Sequence, residues 1–131
     1  MVKKVKAKTS AGKVENEKVC ALLSYLLIGI IWYFVDERMK QSALAKYHAK
    51  QGLVLLIAAI CYDIVLGILI AIIVAPFVLT GMFIGALGIV ALLNILYYVP
   101  LIFMIIGIIN ALNEKQKPLP IIGHFAEKFS F

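Results

Sequence analysis

Apolar and polar positions are unevenly distributed along this chain: three charged stretches are separated by long runs that carry almost no charge. Val19 to Val35 is a run of apolar or small residues, about 25 Å long as a helix and within the range that spans a bilayer. Trp32, Tyr33 and Phe34 close it as an interfacial aromatic belt would. Gly52 to Ala75 forms a second run, stopped by Pro76, which lacks an amide donor. Phe77 to Leu112 is uncharged throughout and too long for one crossing of a hydrocarbon core about 30 Å thick. It must break, and Gly81, Gly85, Gly88 and Pro100 offer the places.

The pattern predicts an all-α, polytopic transmembrane helical bundle. Three spans are preferred, at about 19–35, 52–75 and 90–112, with Pro76 to Ile89 lying at the interface or folded back. The alternative is four spans, with a tight turn near Asn94. Residues 1–18 read as a flexible basic tail, 19–131 as a single transmembrane domain, and 113–131 as an interfacial segment. Ser42 can cap a helix whose first turns, Ala43 to Gln51, lead directly into the second span. Within that interfacial helix, Tyr47 and Gln51 share a face, and His48 meets Gln51 three residues on.

Composition sharpens this picture. Apolar types make up 63% of the residues and charged types 15%, against about 45–50% and about 25% in a soluble domain, so a soluble fold of this size could not hide the apolar surface. Of the 13 basic and 7 acidic residues, only Asp63 lies outside Met1 to Lys18, Asp36 to Gln51 and Asn113 to Phe131. The basic residues flank apolar runs and so point to the lipid bilayer and its anionic headgroups, not to nucleic acid. Cys20 and Cys61 both sit in apolar runs without a CxxC or Cys/His neighbour, which argues against a disulfide framework or a zinc site. The first apolar run has no small-x-small cleavage site, so it is expected to be retained as an anchor.

Little in the sequence points to catalysis. There is no nucleophile elbow, phosphate loop or HExxH, so neither an enzyme nor a cofactor is expected. His48 and His124 are single and far apart in sequence, short of a metal-ligand set. Asp63 is the notable residue, since a carboxyl group within a span is a candidate relay or an interhelical hydrogen-bond partner for Tyr62, Asn94 or a backbone carbonyl. Gly81 and Gly85 form a GxxxG pair that could let two helices approach.

At Tyr47-His48-Ala49-Lys50-Gln51-Gly52-Leu53 and Asn110-Ala111-Leu112 through Lys117-Pro118-Leu119-Pro120-Ile121-Ile122-Gly123, the chain resembles a family of small prokaryotic membrane proteins of unknown function. That family is related to the small multi-span subunit of the chloroplast import (Tic) translocon. The resemblance implies a prokaryotic cell-membrane location and an interaction role, although the plastid subunit has an upstream span that is absent here. The expected function is a non-enzymatic interaction or assembly subunit that associates with itself or with other membrane proteins. The alternative is a small transporter or channel using Asp63. An even number of spans between Gly52 and Leu112 would bring the Tyr47-His48-Gln51 corner onto the same face as Pro118 and Pro120. With three spans, loop and C-terminal segment together carry seven basic residues against six in the tail, which leaves orientation undecided.

Overall fold

The computed structural model describes the backbone from Val2 to Phe131 and side chains from Gly12 onward. Its helices are α1 (Val2–Leu23), α2 (Ile28–Val35), α3 (Glu37–Lys40), α4 (Ala43–Leu79), α5 (Phe83–Leu93), α6 (Val99–Leu112) and α7 (Gly123–Ala126), with 3₁₀ turns at Ser24–Leu26 and Asn94–Tyr98.

The long helix α4 starts as its sequence predicts. Ser42 is extended, and its hydroxyl accepts from the Ala45 amide at 3.2 Å, satisfying one of the free donors of the first turn. From there α4 runs 37 residues without a break, about 55 Å at the usual helical rise. Pro76 does not end it, contrary to the expected stop at Ala75. A proline in the last turns removes one amide donor, and the helix continues to Leu79. Reversal comes where Gly81 takes φ +74. The Gly81 amide donates to the Val78 carbonyl at 3.1 Å and the Met82 amide to the Phe77 carbonyl at 2.8 Å, the paired bonds of a Schellman turn.

Past the turn, α5, the Asn94–Tyr98 3₁₀ turn and α6 form one apolar run from Phe83 to Leu112. Residues 76–89 therefore do not form a separate interfacial segment, and the chain does not reverse near Asn94. Pro100 stands at the start of α6, where its missing amide costs little. The run lies antiparallel to α4. Phe77 packs on Gly85, the Tyr97 hydroxyl reaches Gly67, and the Tyr62 hydroxyl donates to the Leu96 carbonyl at 3.0 Å.

Ala43–Leu79 and Phe83–Leu112 are both long and apolar enough to cross a membrane. Only 17% and 0% of their most apolar windows are buried within the chain, whereas the core helix of a soluble protein would be mostly buried. Lipid is the medium that suits such a surface.

The stretch expected to form the first span, 19–35, is not one helix. α1 ends at Leu23, Leu27 adopts φ +70, and α2 folds back along α1. Gly29 makes this close approach possible, because a Cβ there would collide with the Ser24 amide and the Cys20 carbonyl. Ser24 Oγ donates to the Cys20 carbonyl at 2.9 Å, and the Cys20 thiol to the Gly29 carbonyl at 3.5 Å. With only 8 residues, α2 reaches about 12 Å, far short of a crossing. The backbone of residues 2–18, expected to be a flexible tail, is helical as the first part of α1. Ala, Lys and Glu there are good helix formers, and Gly12 alone does not stop the helix before Val19.

The elbow of α1 and α2 packs on the near half of the α4 to α6 hairpin. One buried cluster joins Ala21, Tyr25, Leu55, Ala111 and Leu119, and a second joins Cys20, Tyr33, Met39, Ala45 and Ala49. The described residues of all three charged stretches meet at this end. Lys18 pairs with Glu114 at 2.8 Å, the Phe131 ring lies 5.8 Å from Tyr33, and the Lys50 ammonium stands 5.4 Å above Phe131. The opposite end of the hairpin is the uncharged turn Thr80–Met82.

Candidate functional site

The polar corner is built where the first turns of α4 meet the segment after α6. α6 closes on a second Schellman turn, with Glu114 at φ +55 and the Lys115 amide donating to the Asn110 carbonyl at 2.8 Å. The chain then returns across α4 through Pro118 and Pro120. Neither proline has an amide to donate, which leaves the neighbouring backbone groups to find side-chain partners.

Gln51 supplies them. Its Nε2 donates to the Gly123 carbonyl at 3.1 Å, and its Oε1 accepts from the Leu119 amide at 3.2 Å. Gln51 is 1% exposed, so both halves of the amide are spent inside the chain. Gly123 is needed at the contact, since a Cβ there would lie 2.6 Å from Pro118 Cβ. The Ile122 amide donates to the Pro120 carbonyl at 2.7 Å, tightening the same turn.

His48 sits one turn before Gln51 and is fully buried. Its Nδ1 lies 2.9 Å from the Tyr25 hydroxyl, and the two rings meet edge to face. Its Nε2 has no hydrogen-bond partner among the described residues. Tyr47 is half-buried, with its ring edge-on to His48. His48, Gln51, Pro118 and Pro120 thus lie at one corner, with Tyr47 beside them and the Tyr25 elbow docked on it. His124 is exposed on α7.

Three residues that the sequence did not single out complete the corner. A Cβ on Gly52 would strike the Ser24 carbonyl, and one on Gly107 would strike the Tyr25 ring. Tyr25 itself is wedged between His48 and Gly107. The sequence signal was available: a tyrosine inside an apolar run needs a partner for its hydroxyl, and glycines within helices mark close approach.

The remaining sequence candidates lie elsewhere. Gly81 is in the hairpin turn and Gly85 is in α5 against Phe77, so the two do not form a GxxxG face on one helix. Asp63 is the candidate relay or interhelical hydrogen-bond partner. It is exposed on α4 and has no hydrogen bond or ion pair among the described residues, and Tyr62 is committed to Leu96. Two antiparallel helices leave no interior between them for a polar path, so the fold lends no support to a channel through a single copy.

Fold and corner together define a small helical membrane protein: an apolar hairpin of two long helices, an elbow that does not cross, and a glutamine that ties the chain after α6 back onto α4. Sequence comparison places it more closely. The chain belongs to the MamF_MmsF family, described as the magnetosome magnetite crystal formation protein family, whose profile matches residues 16–126. The match spans both motif stretches, Tyr47 to Leu53 and Asn110 to Gly123. Nothing in it links the chain to the Tic translocon. No curated protein and no solved structure matches the chain.

Proposed function

We propose that this protein is a non-enzymatic assembly subunit of the membrane that encloses a growing magnetite crystal, with both of its charged ends on the cytoplasmic face. The family supports the compartment. The orientation rests on one observation: all 13 lysines and arginines belong to three stretches of the sequence whose described residues meet at the near end, and the far turn Thr80–Met82 carries none. The positive-inside rule puts the basic end in the cytoplasm. A green fluorescent protein fused after Phe131 is expected to fluoresce, and alkaline phosphatase inserted after Gly81 is expected to be active. The reverse pattern would overturn the orientation.

An uncharged turn offers the compartment interior no acidic groups to order iron ions. The protein therefore acts on the mineral indirectly, by organising the membrane and its protein neighbours. An import role like that of the Tic subunit draws no support from the family match. Deleting the gene in a magnetite-forming cell is expected to change crystal size or number while membrane vesicles persist. Unchanged crystals, measured by electron microscopy, would sink the reading.

A further inference from the structure

Asp63 falls in the middle third of the apolar part of α4, Gly52–Leu79, and is exposed there. A charged or strongly polar group facing acyl chains at that depth is costly, on the order of 2.5–3.5 kcal/mol even on the lenient insertion scale. The exposed side chains next to it on α4, Ile60 and Ile64 among them, are apolar, but other polar groups lie at the same depth on the hairpin. The Tyr62 to Leu96 hydrogen bond sets α4 and the Asn94–Tyr98 turn at the same depth. Asp63 and Gly67 are one helical turn apart and share a face of α4, and the Tyr97 hydroxyl lies against Gly67. Asn94 and Tyr97 are three residues apart in a 3₁₀ turn, where such side chains eclipse one another. Asp63, Asn94 and Tyr97 therefore line one side of the hairpin, and all three are exposed. The α1 to α2 elbow reaches only as far as Leu27, beside Leu56, Ala59 and Leu101, and leaves this side of the far half uncovered.

We infer that this face is the contact between two copies of the chain, which rests on the assembly reading above and names its surface. The occupant follows from symmetry. A two-fold axis along the membrane normal sets α4 of one copy against the Asn94–Tyr98 turn of the other without changing depth. Each Asp63 carboxyl then meets the Asn94 amide and Tyr97 hydroxyl of the second copy. These are the donors it lacks within its own chain, and the pairing occurs twice in one interface. A lipid tail supplies no such donors.

The test uses the full chain in phosphatidylcholine and phosphatidylglycerol vesicles, one pool tagged after Phe131 with an energy-transfer donor and one with an acceptor. Wild-type copies are expected to show transfer that is competed away by untagged protein. Asp63→Leu, which removes both symmetry-related pairings, should weaken association by at least about five- to thirty-fold, the range that a single interhelical hydrogen bond gives in model membrane peptides. Asn94→Asp should weaken it by setting carboxyl against carboxyl, and adding Asp63→Asn to that variant should restore it. Ile72→Ala, nearly opposite Asp63 around α4, should leave it unchanged. If Asp63→Leu fails to fold, as judged by trypsin cleavage after Lys115, Asn94→Leu with Tyr97→Phe replaces it. Unchanged transfer in the leucine variants, or no recovery in the exchanged pair, overturns the interface. Absence of transfer between wild-type copies does so too, whereas the deletion phenotype tests the assembly role separately.

Discussion

Replacing Gln51 by leucine is expected to release the segment from Lys115 to Phe131 from α4. The side chain fills a similar space, so the change isolates two hydrogen bonds. The Leu119 amide and the Gly123 carbonyl are left without their partner in a buried corner. Each orphaned group costs about 1–3 kcal/mol, so the expected loss is about 2–6 kcal/mol. The segment should detach before the hairpin unfolds, because α4, α5 and α6 keep their own hydrogen bonds. Trypsin cleavage after Lys115 in detergent should accelerate while helix content holds. Gln51→Glu retains the acceptor for Leu119 but sets a buried carboxylate against the Gly123 carbonyl, so at neutral pH it should be at least as damaging as Gln51→Leu, and protonation at low pH, which restores a donor, should relieve it. Equal protease resistance in all three would show that the corner is held by packing alone.

Gly52→Ala is expected to be severe for a different reason. Its new methyl group would meet the Ser24 carbonyl, which belongs to the backbone of the elbow and cannot swing aside as a flexible side chain could. Overpacking typically costs about 1–3 kcal/mol, and a backbone partner puts this case at the upper end or beyond. The elbow would be levered off α4, exposing Cys20. In the native chain that thiol is fully buried, and burial, helped by the charge of Asp36, pushes its pKa up to about 11. A maleimide should therefore react with Cys20 much faster in Gly52→Ala than in wild type, with Cys61→Ser as the background. Unchanged labelling would mean that the elbow does not rest on Gly52.

These two positions also show what the residues disclosed before the fold was seen. The Gln51 corner was legible because prolines remove donors and a glutamine at the mouth of a span can supply both halves of an amide. Ser42 as a cap and Gly81 as a break were legible for equally local reasons. The elbow was not. Hydropathy alone does not distinguish one 17-residue span from two short arms that fold together, and the reversal sits on Leu27, whose positive φ has no sequence signature. Pro76 misled in the other direction, since its cost near a helix end is small. Asp63 is exposed on α4 where an interhelical partner was expected, because periodicity relates residues on one helix and does not say which face another helix covers.

The elbow has a mechanical consequence. On the basic side of the bilayer the chain fills its leaflet with the near halves of two long helices plus α1, α2 and the segment after α6. On the other side it presents two helices alone. Such a body is a cone, broad at the charged end and narrow at the turn. Cones side by side pack without gaps only where the broad leaflet is the convex one. With the charged end in the cytoplasm, that is the outer leaflet of a small vesicle, so an array of these chains would favour a closed compartment of small radius over a flat sheet.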